Sequence, residues 1–360
     1  MAEQDFISEI MGFNPQDLSA FSTSEEKTYD ENIYKTNPVK TKVVSEDGHY
    51  RSVVKVLYNP FNIKRSIINQ CQYVMQDNEG WLFVNSALAE GDRNCPIFKG
   101  WKKLWFSGDD TKKEYAKKMF ERNESQWVLV QVIEDENRPE LVGKLMLMKL
   151  PKSVYNKMQA KMNPSADSKK TPVALMDYLI GPALEMDVTP GPDDPTQPSR
   201  KMREISYDLC DFATDATPIM KVDGTPLFSD DEMEVIETYA DAKANFEKAK
   251  TEAKKLSYKA EIDEVLPQIR DLYAKAMAYL KENAPDVSKE CGYQPWDEKT
   301  TARVTSWLEA VTNMQDPKSG MITETTVADP FVAPATTTPT TDSIEVANPM
   351  DELADNDLPF

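Results

Sequence analysis

The apolar residues of this chain change their spacing three times, and that limits what it can fold into. Near Tyr50 they begin to fall in β-branched and aromatic runs stopped by turn residues. Near Ser229 they shift to helical intervals, and from Gln315 onward they thin out among Thr, Pro, Ala and Asp.

In the first regime, Val53-Val54-Lys55-Val56-Leu57-Tyr58 predicts a strand that Asn59-Pro60 stops. Ile67 to Met75, a turn at Asp77-Asn78-Glu79-Gly80, and Trp81-Leu82-Phe83-Val84 read as a hairpin. Trp127 to Ile133 is a strong strand, turned by Asp135 to Pro139 and paired back by Leu141 to Leu150; Met202 to Tyr207 is a last strand. Helices are inserted at Asp110–Arg122 and Pro151–Met162, the second with a proline suited to a first helical position. Thr189 to Pro198, with its four prolines, is a loop. Short strands joined by turns predict an α+β fold around a closed or nearly closed small β-barrel.

Ser229-Asp230-Asp231-Glu232 has the form of a capping box, followed by Met233, Ile236, Tyr239, Ala240 and Phe246 at helical intervals. Leu256 to Leu280 continues a second helix, with Pro267 kinking it or marking its start; Val304 to Met314 is a third, Trp307 and Leu308 facing inward. The mixed charges here read as a solvated face. The resulting division is an arm over 1–38, a barrel core over 39–228, a helical hairpin or bundle over 229–314 and a disordered acidic tail over 315–360.

The formal charge is -19, which would argue against nucleic acid were it evenly spread. It is not. Residues 40–161 hold 21 Lys/Arg against 15 Asp/Glu, a net of +6 that leaves -25 for the rest. Binding follows the local field rather than the sum.

Catalytic and metal chemistries find little footing. The one histidine, His49, sits in a loop before the first strand, and no HExxH, P-loop, GxGxxG or nucleophile elbow occurs. Cys71, Cys95, Cys210 and Cys291 form no CxxC pair, which fits free thiols in a reducing, cytoplasmic compartment. Asp109-Asp110 and Glu134-Asp135-Glu136 read as solvated turns rather than a nuclease's metal site. We expect no catalytic residue, metal or cofactor. No run of 18 apolar residues calls for a membrane, and the acidic start, Met1 to Phe6, lacks the form of a secretory signal.

From Lys99 to Arg122 cations alternate with rings: Lys99, Trp101, Lys102, Lys103, Trp105 and Phe106, then Lys112, Lys113, Tyr115, Lys117, Lys118, Phe120 and Arg122. A single strand offers phosphates, which lysine takes by releasing counterions, and open base faces, which aromatic rings take by stacking. The alternative is a basic amphipathic helix whose rings are core. At least half of these rings are expected to be core, with Trp101 and Trp105 as one buried stripe.

Ordered landmarks over residues 48–250 resemble the single-stranded DNA-binding proteins of T-even-type bacteriophages. They are Gly48 to Leu57; Gly80 to Asn85 with Gly91 to Pro96; Lys113 to Tyr115 with Arg122 to Val130; Lys149 to Met158; Met186 to Pro190; Ile205 to Asp208; and Pro226 to Ile236. The resemblance implies an OB-type barrel that binds single strands through a basic, aromatic-lined cleft. It places Tyr115, Arg122 and Trp127 on the DNA-contacting stretch and Trp105, Tyr207 and Phe212 on cleft aromatics; Lys149 and Lys152 join the contact set at the strand-to-helix junction. The family's zinc set is broken here: Asn85 stands where its first cysteine would be and Phe98 at its last, leaving Cys95. We therefore expect no zinc, with Phe98 and its neighbours filling that volume. The basic N-terminal motif for cooperativity is also missing, so self-association along DNA is left open.

The closing Asp355, Asp357, Leu358, Pro359 and Phe360 resemble the acidic, Pro-Phe-tipped tails of single-strand binders, which implies docking on replication and recombination proteins. The expectation is a non-catalytic, sequence-independent single-stranded DNA-binding protein of a phage-type replication, recombination and repair system. The alternative is a scaffolding protein acting through 229–314.

Overall fold

In the computed structural model, residues 32–36, 49–165, 170–190 and 205–318 are described. Among them the strands are β1 (Tyr50–Leu57), β2 (Ile67–Asp77), β3 (Gly80–Asn85), β4 (Arg122–Asp135), β5 (Leu145–Leu150), β6 (Pro182–Pro190), β7 (Ile205–Ser206) and β8 (Asp211–Ala216). The helices are α1 (Pro96–Trp105), α2 (Asp110–Met119), α3 (Lys152–Met162), α4 (Asp230–Lys248), α5 (Glu252–Asn283), α6 (Val287–Cys291) and α7 (Glu298–Thr312).

The long valine-rich run becomes β4, the strand on which the sheet is built. β1 and β2 lie end to end along one of its edges, both antiparallel, with Leu57 opposite Leu129 and Ile67 opposite Val128. They are two halves of one strand interrupted where Pro60 can offer no ladder donor. β5 takes the opposite edge, from Gln126↔Leu150 to Gln131↔Leu145. β2 and β3 form the expected hairpin, turned at Gly80 with φ 111°. β6 adds to β1, and β7 and β8 add to β6.

Alternate residues of five strands converge on one core: Val54 and Val56, Val128 to Val132, Met146 to Leu150, Leu184 to Val188, and Phe212. α3 closes it with Val154 and Met158, one turn apart on the same face. Each such side chain contributes about 1.5–3 kcal/mol by leaving water. The fold is α+β, an OB-type barrel with inserted helices.

The opposite face of β1 and β4 is also dry. Leu57 and Leu129 pack with Ile236 of α4 and Ile269, Leu272 and Leu280 of α5. The helices therefore share a core with the barrel's outer wall. Both halves of the capping box form: Ser229 Oγ accepts from the Glu232 amide, and the Glu232 carboxylate accepts from the Ser229 amide. Pro267 lies inside α5 and does not mark its start, because Thr251 caps the helix well upstream and accepts from the Lys254 amide. α7 buries Trp307 and Leu308 as expected.

Residues 32–36 dock on the free edge of β5: Leu147 N–H donates to the Asn32 carbonyl (2.7 Å) and Tyr34 N–H to the Leu147 carbonyl (2.8 Å). The buried Tyr34 and Tyr50 hydroxyls both donate to Asp135 Oδ2, at 2.8 and 2.6 Å, and Arg138 completes the cluster. Burial raises both tyrosines above their usual range, Tyr50 to about 12. The rest of the arm, most of the Thr189–Pro198 loop and the tail beyond Lys318, with Asp355, Asp357, Leu358, Pro359 and Phe360, lie outside the described residues.

Candidate nucleic-acid interface

The basic stretch folds as a helical hairpin. Pro96 opens α1 at a position where its missing N–H costs nothing, and Asp109 caps α2 by accepting from the Thr111 amide at 2.9 Å. Lys102 and Lys103 end α1, and Lys117 and Lys118 end α2, where cations meet the negative pole of the helix dipole. Lys99, Lys103, Lys117 and Lys118 are exposed; Lys102, Lys112 and Lys113 are half-buried. The hairpin rests on α7: the Phe120 ring meets Trp307 edge-on at 5.2 Å, and Gly100 lies so close to Leu308 that a Cβ would stand 2.8 Å from Cδ2.

Its rings form a ladder. Phe98 stacks on Trp101 at 5.5 Å and Trp101 on Trp105 at 5.4 Å. Lys113 Nζ lies 4.8 Å and Lys117 Nζ 5.9 Å from the Trp105 ring centroid. Trp101 is 2% exposed, so it stacks on protein and offers no face to a base. This corrects its place among the contact residues: the i, i+4 stripe with Trp105 is turned inward by Ile97 and Leu104, which share its face. Phe106, just past the end of α1, meets Trp101 edge-on at 6.0 Å and is 42% exposed. It is the most exposed ring of this group. Sequence spacing could not single it out, because its direction is set by the turn and not by the helix.

The remaining positions are spread over the barrel. Tyr115 is half-buried and donates to the Gln315 carbonyl at 3.2 Å. Arg122 is 14% exposed at its side chain and pairs with Glu124 at 2.7 Å. Trp127 donates its indole N–H to Gln70 (2.8 Å), packs beside Ile68 and Leu147, and faces exposed Lys149 across the β4–β5 ladder. Lys152 opens α3 and is exposed. Tyr207 packs half-buried against the barrel core. Phe212 is 5% exposed within that core, so it too is corrected from contact residue to core; the inward pleat of β8 puts it there. The hairpin thus gathers seven lysines with Trp105 and Phe106, whereas Trp101 and Phe212 are withdrawn from solvent.

The residues of the broken zinc pattern have other roles. Cys95 Sγ lies 3.0 Å from Ser86 Oγ, the Asn85 carbonyl accepts from Trp296 Nε1 at 2.7 Å, and Phe98 fills the space above Trp101. Among the described residues no three His, Cys, Asp or Glu side chains are grouped to hold a metal. His49 Nδ1 pairs with Asp187 Oδ1 at 2.7 Å, tying the start of β1 to β6.

A family model described as "gp32 DNA binding protein like" matches residues 64–257, more than half of the chain. No curated protein matches it.

Proposed function

Because the chain belongs to the gp32-like DNA-binding proteins, we propose that it binds single-stranded DNA without regard to sequence. It protects exposed strands during phage-type replication, recombination and repair in the cytoplasm of the host. The acidic residues 315–360 recruit the enzymes of those processes, and the protein itself does no chemistry on DNA. No helix among the described residues is long and apolar enough to cross a membrane.

The observation that carries this reading is the α1–α2 hairpin within the matched region, where seven lysines share two short helices with Trp105 and Phe106, and Lys113 and Lys117 lie over the Trp105 ring. Mobile ammonium groups meet phosphates of any sequence as point charges, and a ring accepts any base. Lys149 beside Trp127, and Lys152 after it, extend the same chemistry onto the barrel.

The test is a tryptophan-fluorescence titration with oligo-dT and with duplex DNA across a salt series. Oligo-dT quenches the fluorescence at low salt and binds more tightly than duplex. Reversing Lys112, Lys113, Lys117 and Lys118 to Glu lowers the log–log salt slope by about 3, at roughly 0.7 per lost phosphate contact. Unchanged fluorescence at low salt overturns the proposal. Full binding by the reversed variant moves the function to the scaffold alternative.

A further inference from the structure

The α4–α5 hairpin carries its charge in two blocks. Residues 229–242 hold six acids and no Lys or Arg. Residues 243–259, which span the turn, hold six lysines (243, 248, 250, 254, 255 and 259) against Glu247 and Glu252. In sequence this passes for a mixed solvated face; folded, it is a basic tip on a strongly acidic protein.

The tip stands away from the body. Val265 is the first residue of α5 to pack against the barrel's outer core and Ile269 the first to be fully buried, so the helix projects about 20 Å before it meets that core, at 1.5 Å per residue. Among the described residues Lys248, Lys250, Lys254 and Lys259 have no carboxylate within salt-bridge reach, and the Lys255–Glu252 pair is an exposed contact at 3.4 Å. Folding does not ask for these cations. Lys254 and Lys255 sit in the first turns of α5, where the positive pole of the helix opposes them by about 0.3–1 kcal/mol each. Leu256 beside them is 66% exposed, the highest of the large apolar residues described.

We propose that this tip is a second contact for single-stranded DNA, engaging the backbone of a strand as it leaves the barrel. Flexible cations clustered without a shaped groove suit phosphates rather than a folded protein surface. Leu256 gives a base an apolar surface to lie against. The inference rests on the proposed single-strand binding.

The experiment compares the full-length protein with its Lys250→Glu, Lys254→Glu, Lys259→Glu variant on dT8 and dT24, over 0.1–1 M salt. An OB-type barrel takes roughly 4–16 nucleotides, so dT8 occupies the barrel alone while dT24 reaches the tip. The variant binds dT8 as the parent does. On dT24 its salt slope falls by about 2, so its deficit shrinks about a hundred-fold between 0.1 and 1 M. Equal binding of dT24 by both proteins overturns the inference, and so does an equal loss on dT8. If the parent binds neither oligonucleotide, single-strand binding itself is wrong and the tip inference falls with it.

Discussion

Lys55 is fully buried on the outer face of β1, opposite Gln131, and donates to the Gly181 carbonyl at 2.6 Å. Burial lowers its ammonium from the usual 10.5 to about 7, against the weaker pull of Asp177. Between these values the unfolded chain holds a proton that the folded chain has released. The unfolded state thus binds more protons, and stability rises with pH across this window. The penalty is about 4 kcal/mol at pH 7 and about 2 kcal/mol at pH 9. Lys55→Met removes that penalty but leaves the Gly181 carbonyl without its donor, at a cost of about 1–3 kcal/mol. The variant is therefore more stable than the parent at pH 7, by about 1–3 kcal/mol, and its advantage shrinks by about 2 kcal/mol at pH 9. Urea unfolding of both proteins at the two pH values measures this. Taking the difference cancels the thiols and tyrosines that titrate in both. An advantage that stays constant between pH 7 and 9 refutes the reasoning, since it means the buried amine stays protonated across that range, as it does in the unfolded chain.

Arg303 of α7 holds Asp77 with two parallel bonds of 2.7 and 2.8 Å, both side chains under a tenth exposed. Arg303→Ala strands a buried carboxylate and lowers urea-unfolding stability by about 3–5 kcal/mol; a loss below 1 kcal/mol would show that water reaches Asp77. Phe106→Ala leaves thermal stability within about 0.5 kcal/mol but weakens oligo-dT binding by about 1–3 kcal/mol. Trp101→Ala costs about 3–5 kcal/mol of stability. Equal effects of the two substitutions on folding and on binding would refute the division between exposed ring and core ring.

Legibility in the sequence followed how local the deciding physics is. Val53 to Leu57, Ile67 to Met75 and Trp127 to Ile133 announce strands because β-branched runs end in turn residues, and β1, β2 and β4 are found there. Ser229 and Glu232 announce a helix start because a capping box is complete within four residues. β8 was not legible: Asp211 to Ala216 carries two aspartates and one large apolar residue, and it is a strand only because β6 pairs with it. α6 is five residues long and is held by contacts with Ile68 and Gln70, distant in the chain. The same limit applies at the interface. Alternating lysines and rings mark the α1–α2 hairpin, but which ring faces water depends on α7 and on the turn after Trp105. Lys55 reads as an ordinary strand residue until α4 and α5 cover the wall on which it stands.

The short strap at residues 32–36 completes a margin of the sheet that would otherwise lie open. A shortened chain beginning at Tyr50 would bare the Leu147 amide and carbonyl, a template on which a second molecule's backbone can zip. It would also leave Asp135 without the Tyr34 hydroxyl. The stretch ahead of the barrel is thus a selvedge to the sheet, occupying an edge on which another backbone could otherwise pair.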